Sequence, residues 1–185
     1  MSAAPTAYTG SLGREDGRDS DSWYTPASYL EAGRRTLRRF DLDPFSSATA
    51  NAVVQAERFL TVEDDAFVTD WSGPAVWMNP PYSRGLCAQA ADRFVQQYEA
   101  GAFKRGIVLT NNATDTSWFN TLLESASAVC FTDHRIAFVS PDGKAVSGNT
   151  RGQAFFLYES DGRAKTLERF RDNFAPFGAI LEVSR

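Results

Sequence analysis

Apolar residues along the chain fall into two alternating periods. In "TPASYLEAGRRTLRRF", Tyr29, Leu30, Gly33 and Leu37 share one face at helical spacing, and Pro26 suits a first turn, which predicts a helix running into a strand. That strand is "RRFDLDP", apolar at Phe40 and Leu42 and stopped by Pro44; "SSATANAVVQAERF" follows with cap-forming serines and Ala50, Val53, Val54 and Ala56 at mainly helical spacing. "FLTVEDDAF" and "PAVWMN" read as two further short strands. From Arg84 to Ala100, Leu86, Ala90, Phe94 and Tyr98 recur every four residues, and Gly101 stands where such a helix would end. "GIVLT", the helix "DTSWFNTLLES" with Asp115 as N-cap candidate, and the strand "SAVCF" continue the alternation. Strands alternating with helices imply a mostly parallel sheet covered on both faces. Beyond it, "HRIAFV" and "GQAFFLYES", separated by the turn signal "SPDG", read as antiparallel strands, with a helix "AKTLERFRDNF" and a last strand "GAILEV" after them. The expected fold is a doubly wound α/β domain, mostly parallel, with antiparallel edge strands.

Length and composition narrow this to one domain. The chain has 185 residues, 43% hydrophobic and 13% aromatic, enough for a single substantial core. Residues 1–20 are small and polar without periodicity and are expected to form a disordered tail, leaving 21–185 as the folded domain. No apolar run approaches the roughly 20 residues of a membrane span, and the N-terminus lacks the build of a signal peptide, so a cytoplasmic protein is expected. Cys87 and Cys130 lie far apart and His134 is the single histidine, so no metal site is expected. The net charge of −4 argues against non-specific coating of nucleic acid; any such contact needs a local basic patch.

The chemistry concentrates at "VWMNPPYSRG". In doubly wound sheets ligands bind outside the carboxyl ends of the strands, and Asn79, Pro80, Pro81 and Tyr82 stand at one. The prolines stiffen the loop and remove two backbone donors, so it offers acceptors only. The Asn79 side-chain carbonyl and the Pro80 backbone carbonyl are two acceptors for the two hydrogens of a planar amine. Tyr82 supplies a flat face on which a heterocycle can stack, worth ~1–3 kcal/mol per base. The plainer alternative is a rigid turn closing a core strand.

"NPPY" resembles the catalytic motif of the amino methyltransferases, which move a methyl group from S-adenosylmethionine to the exocyclic nitrogen of adenine. "WYTP" resembles the Thr-Pro element that precedes the first strand in many of them, which implies that Trp23, Thr25 and Pro26 help hold the cofactor. "LDPFSS" resembles their first-strand motif and implies Asp43, Pro44 and Phe45 as cofactor residues, while Glu63, Asp64 and Asp70 follow as candidates for ribose and adenine contacts. With Trp71 ahead of "NPPYS" and "RIAF" at Arg135 to Phe138, the stretch from Trp23 to about Tyr158 is similar to the small phage and prophage DNA N6-adenine methyltransferases. The resemblance implies a Rossmann-like, S-adenosylmethionine-dependent sheet and DNA as partner, with a flipped adenine where the substrate is duplex. Arg84 and Arg135 become the DNA-contact candidates; Arg34, Arg35, Arg38 and Arg39 read as a solvated helix face, and His134 as structural. Two features depart from the family pattern: "DPFSSATAN" has none of the usual glycines, and Ser140 to Gly152 is only a loop, leaving no separate target-recognition domain. Methylation of RNA adenine or a protein glutamine, and an inactive DNA-binding module of the same fold, remain open alternatives at this point.

Overall fold

The computed structural model describes residues 14–15, 18–19, 23–140, 143–145 and 149–184; most of the expected N-terminal tail lies outside them. Within its span, β1 (Arg14–Glu15) and β2 (Arg18–Asp19) form a short antiparallel pair. The domain then runs α1 (Ala27–Leu37), β3 (Leu42–Asp43), α2 (Ala48–Val54), β4 (Arg58–Phe59), β5 (Ala75–Met78), α3 (Leu86–Glu99), β6 (Arg105–Asn111), α4 (Ser117–Ser125), β7 (Ala128–Thr132), β8 (Gln153–Glu159), α5 (Arg163–Phe174) and β9 (Gly178–Glu182). Seven strands form one sheet in the order β4-β3-β5-β6-β8-β7-β9. The first four are parallel neighbours; β8 runs antiparallel to β6 and β7, and β9 antiparallel to β7.

The expected doubly wound α/β fold is what forms. Phe94 and Tyr98 of α3 and Phe119 and Leu122 of α4 pack with Val76, Val108 and Phe156 on one face, while α1 and α5 pack with Trp77, Ile107 and Phe155 on the other. Antiparallel pairing fills a whole wing of the sheet, with β8 inside it. All seven residues of β8 are buried, because Ala154, Phe156 and Tyr158 meet one helical layer and Phe155 and Leu157 the other.

Local chemistry explains most boundaries. Helix α1 buries Tyr29, Leu30, Gly33 and Leu37, the face read from spacing. Gly33 permits a close approach: a Cβ there would stand 2.9 Å from Phe40 Cζ. Helix α3 ends before Gly101, whose φ of +76° suits the left-handed turn that glycine adopts without cost. Helix α4 is capped by Thr116 rather than the expected Asp115, its Oγ1 accepting from the Phe119 N–H. The expected strand "HRIAFV" does not form; residues 135–138 are irregular and only Val139 pairs, with Tyr24 and Ala145. The physical reason is that the Ile136 N–H is taken by the Gln153 side chain at 3.0 Å instead of by a strand. No helix among the described residues is long and apolar enough to cross a membrane.

The topology selects one crevice. The chain leaves β3 for β4 on one side and then crosses to β5 on the other, so the strand order reverses between β3 and β5. At such a switch point the loops diverge and leave a cleft outside the strand ends. The segments that follow are Pro44-Phe45-Ser46 and Asn79-Pro80-Pro81-Tyr82.

Candidate active site

Asn79 leaves β5 on the face of Trp77, which by strand alternation is also the face of Asp43 on the neighbouring strand. Its amide is used asymmetrically. Nδ2 donates to Thr25 Oγ1 at 3.4 Å, whereas Oδ1 is buried and meets no hydrogen-bond partner among the described residues. A buried acceptor without a partner costs about 1–3 kcal/mol. Pro80 and Pro81 are buried beside it, and Tyr82 is half-buried. The Tyr82 hydroxyl accepts from the Asn111 N–H at 3.1 Å and lies 3.5 Å from the Leu109 carbonyl. Since β5 stops pairing at Met78 opposite Val108, this hydroxyl serves β6 where the neighbouring strand has ended.

Two motifs far apart in sequence meet here. Tyr24 and Val139 exchange both backbone hydrogen bonds, at 2.8 and 2.9 Å, so "WYTP" and the segment after "RIAF" form one antiparallel bridge. Thr25, next in the chain, is 6% exposed and held between that bridge and the start of α1, with Trp23 and Pro26 half-buried on either side. Gln153, missed by the sequence reading, joins the same corner: fully buried, it accepts from Ile136 and donates to Asn111 Oδ1 and the Arg151 carbonyl. Its signal in the sequence is faint, a polar residue heading an otherwise apolar run. His134, expected to be structural, bridges Asp133 Oδ1 at 2.6 Å and the Tyr29 hydroxyl at 2.8 Å, tying α1 to the end of β7. Arg135 is exposed and its guanidinium lies by Gly152 and the end of β6, while the side chain of Arg84 falls outside the described residues.

Asp43 ends β3 and is 3% exposed, with the Phe45 N–H 3.3 Å from Oδ1. Burial pushes its carboxyl up to about 7, opposed only in part by hydrogen bonds from the Ser46 side chain and the Phe45 N–H. Pro44 is buried and Phe45 packs against Phe67 and Trp71, fixing the turn. Glu63 and Asp64 are exposed on the loop beyond β4. Asp64 closes a capping box with Thr61, its Oδ2 accepting from the Thr61 N–H at 2.8 Å and hydroxyl at 2.9 Å. Thr61 also holds the Glu63 carboxyl below the usual range. Asp70 is exposed on the segment leading back toward the start of β5, its carbonyl accepting from Arg58. Thr25 thus meets Asn79 directly, and Asp43, Asn79, Pro80 and Tyr82 stand at the carboxyl ends of the adjacent strands β3 and β5, whereas Asp70 precedes the amino end of β5 beside Arg58.

Comparison with known proteins places this arrangement in a family. A chain from Haemophilus phage HP1, described as a DNA N-6-adenine-methyltransferase, is 28% identical over 146 residues, 76% of this chain and 80% of that one. The solved structure of a human methyltransferase 10 domain containing protein superposes with a TM-score of 0.45 at 11% identity, covering 72% of this chain and 82% of that one. The sequence model of the DNA N-6-adenine-methyltransferase (Dam) family matches residues 14–171, a span that takes in every element lining the crevice, and on that match the chain belongs to the DNA N-6-adenine-methyltransferase family.

Proposed function

We propose that the crevice between β3 and β5 grips the exocyclic amine of an adenine in DNA and presents it for methylation by S-adenosylmethionine. The observation that carries this is the buried Asn79 Oδ1, an acceptor without a partner among the described residues at the topological switch point. With the Pro80 carbonyl it offers two acceptors to two amine hydrogens, which fixes the amine and aims its lone pair. Tyr82, pinned at its hydroxyl by β6, supplies the stacking surface. In duplex DNA the adenine has to leave the stack to reach this pocket. Exposed Arg135 at the rim supplies a phosphate contact.

The residues present fit a cationic cofactor. Asp43 is a buried carboxyl without a cation beside it among the described residues, so a positive group bound there would hold it ionised. When bound, S-adenosylmethionine supplies an activated methyl group on a sulfonium. Asp43 and the turn of Pro44 and Phe45 hold that cofactor on the β3 side, and Asn79 holds the acceptor on the β5 side. Among the exposed acids, Glu63 and Asp64, both hydrogen-bonded by Thr61, are the candidates for the ribose.

Incubating unmodified DNA with the protein and cofactor, then mapping modified bases by sequencing, tests the reading. Methyl groups are expected on adenine N6, and Asn79→Ala is expected to lose transfer by ~10³-fold or more while still binding cofactor. Full activity in Asn79→Ala would overturn the assignment.

A further inference from the structure

We propose that Thr25 is a positioning residue that anchors the amino end of the Asn79 amide, leaving the carbonyl oxygen for the substrate amine. An asparagine amide has two ends of nearly equal shape and opposite polarity. The reaction proposed above, on which this inference rests, needs the carbonyl end toward the amine; a rotated amide would meet the amine hydrogens with its own N–H groups. In the structure the amino end is the occupied one, bonded to Thr25 Oγ1 at 3.4 Å, and the carbonyl end is the buried atom left for a ligand. Thr25 itself has little freedom. It is 6% exposed, the Tyr24–Val139 bridge fixes the residue before it, and α1 begins two residues later. The contact spans 54 positions of sequence and crosses from the Thr-Pro segment to the Asn-Pro-Pro-Tyr loop. The threonine of the first motif thus acts through the asparagine of the second, a role separate from holding a cofactor.

The test compares Thr25→Val, which keeps the shape and removes the hydroxyl, with Thr25→Ser, which keeps the hydroxyl. S-adenosylmethionine affinity is read by calorimetry, single-turnover methyl transfer with adenine-containing DNA, and folding by thermal melts. Thr25→Val is expected to slow transfer roughly tenfold or more with cofactor Kd changed less than about threefold, and Thr25→Ser to restore the rate. In an Asn79→Asp background, where both carboxylate oxygens are acceptors, the penalty of Thr25→Val is expected to shrink. An unchanged rate in Thr25→Val, or a rate loss matched by an equal rise in cofactor Kd, would overturn the inference. Should Thr25→Val fail to fold, Thr25→Ala reads the same comparison. If Asn79→Ala retains full activity, the proposed function falls; if Asn79→Ala is inactive and Thr25→Val behaves as wild type, only the role of Thr25 falls.

Discussion

The Asp43 carboxyl makes folding stability depend on pH in a direction opposite to that of most acids. Its folded pKa stands near 7, against an ordinary 3.8. A raised carboxyl pKa means that the folded state binds the proton more tightly than the unfolded chain. Its contribution is therefore most favourable below about pH 4 and is lost as pH rises toward 7. About 3 pKa units correspond to about 4 kcal/mol, an upper bound for a group buried in this way. In a domain of this size that is a shift of roughly 10 °C in melting temperature. Asp43→Asn keeps the shape and the acceptor for the Phe45 N–H and removes the titration. Without cofactor, it is expected to be the more stable protein at pH 8, the gap opening between about pH 4 and 7. Glu31, Glu63 and Asp64, with pKa values held low, gain stability with rising pH, but in a lower window and equally in both proteins. Urea titrations of both proteins at half-unit pH steps measure the gap. A stability difference that stays flat from pH 5 to 8 would refute an uncompensated Asp43.

Tyr82→Phe removes the acceptor of the Asn111 N–H and is expected to lower the melting temperature by roughly 2–4 °C, about 1 kcal/mol, in calorimetry. An unchanged midpoint would mean that water serves β6 equally well. Gln153→Ala strips the acceptor from the buried Ile136 N–H and breaks the link to Asn111, at a cost of ~2–4 kcal/mol. Hydrogen exchange at Ile136 is expected to accelerate; retained protection there would show that another acceptor holds the segment.

Local periodicity carried the sequence reading a long way, and its failures share a cause. The helical faces of α1 and α3 follow from which residues recur every three or four positions, and the Asn-Pro-Pro-Tyr loop falls where a strand end should be. The place of β8 inside the sheet does not follow: "AFFLY" shows that both faces are buried, but the order of pairing is set by contacts far away in the chain. The same applies to residues 135–138, whose composition suits a strand while the Gln153 side chain takes the hydrogen bond a strand would need. The capping box of Thr61 and Asp64 was missed: "FLTVEDDAF" is expected as a strand, yet pairing stops at Phe59 and a threonine three residues before an acid turns the chain at Val62–Asp64 instead. The Thr25–Asn79 contact had no local trace, since it exists only once β5 and the bridge of Tyr24 are in place.

The turn "DPFSSATAN" has no glycine, and its backbone shows why it folds without one. Among the described residues the non-glycine positions with positive φ are Arg38, Gln55 and Asp65, so every residue from Pro44 to Asn51 has a conformation open to any side chain. The chain makes the turn by holding its own donors: the Phe45 N–H faces Asp43, the Ser46 N–H bonds Leu60, and Ser47 caps α2 through the Ala50 N–H. A glycine-rich turn holds ligands through free backbone N–H groups, which suit anions. Here those at Phe45 and Ser46 are committed, and the buried carboxyl of Asp43 stands in the same turn. On the proposed reading, recognition on the β3 side would rest more on a negative charge meeting a positive ligand group than on a backbone cradle. Such a ligand binds the ionised carboxylate, so between about pH 5 and 7 its binding releases a proton, and its affinity rises with pH through that window.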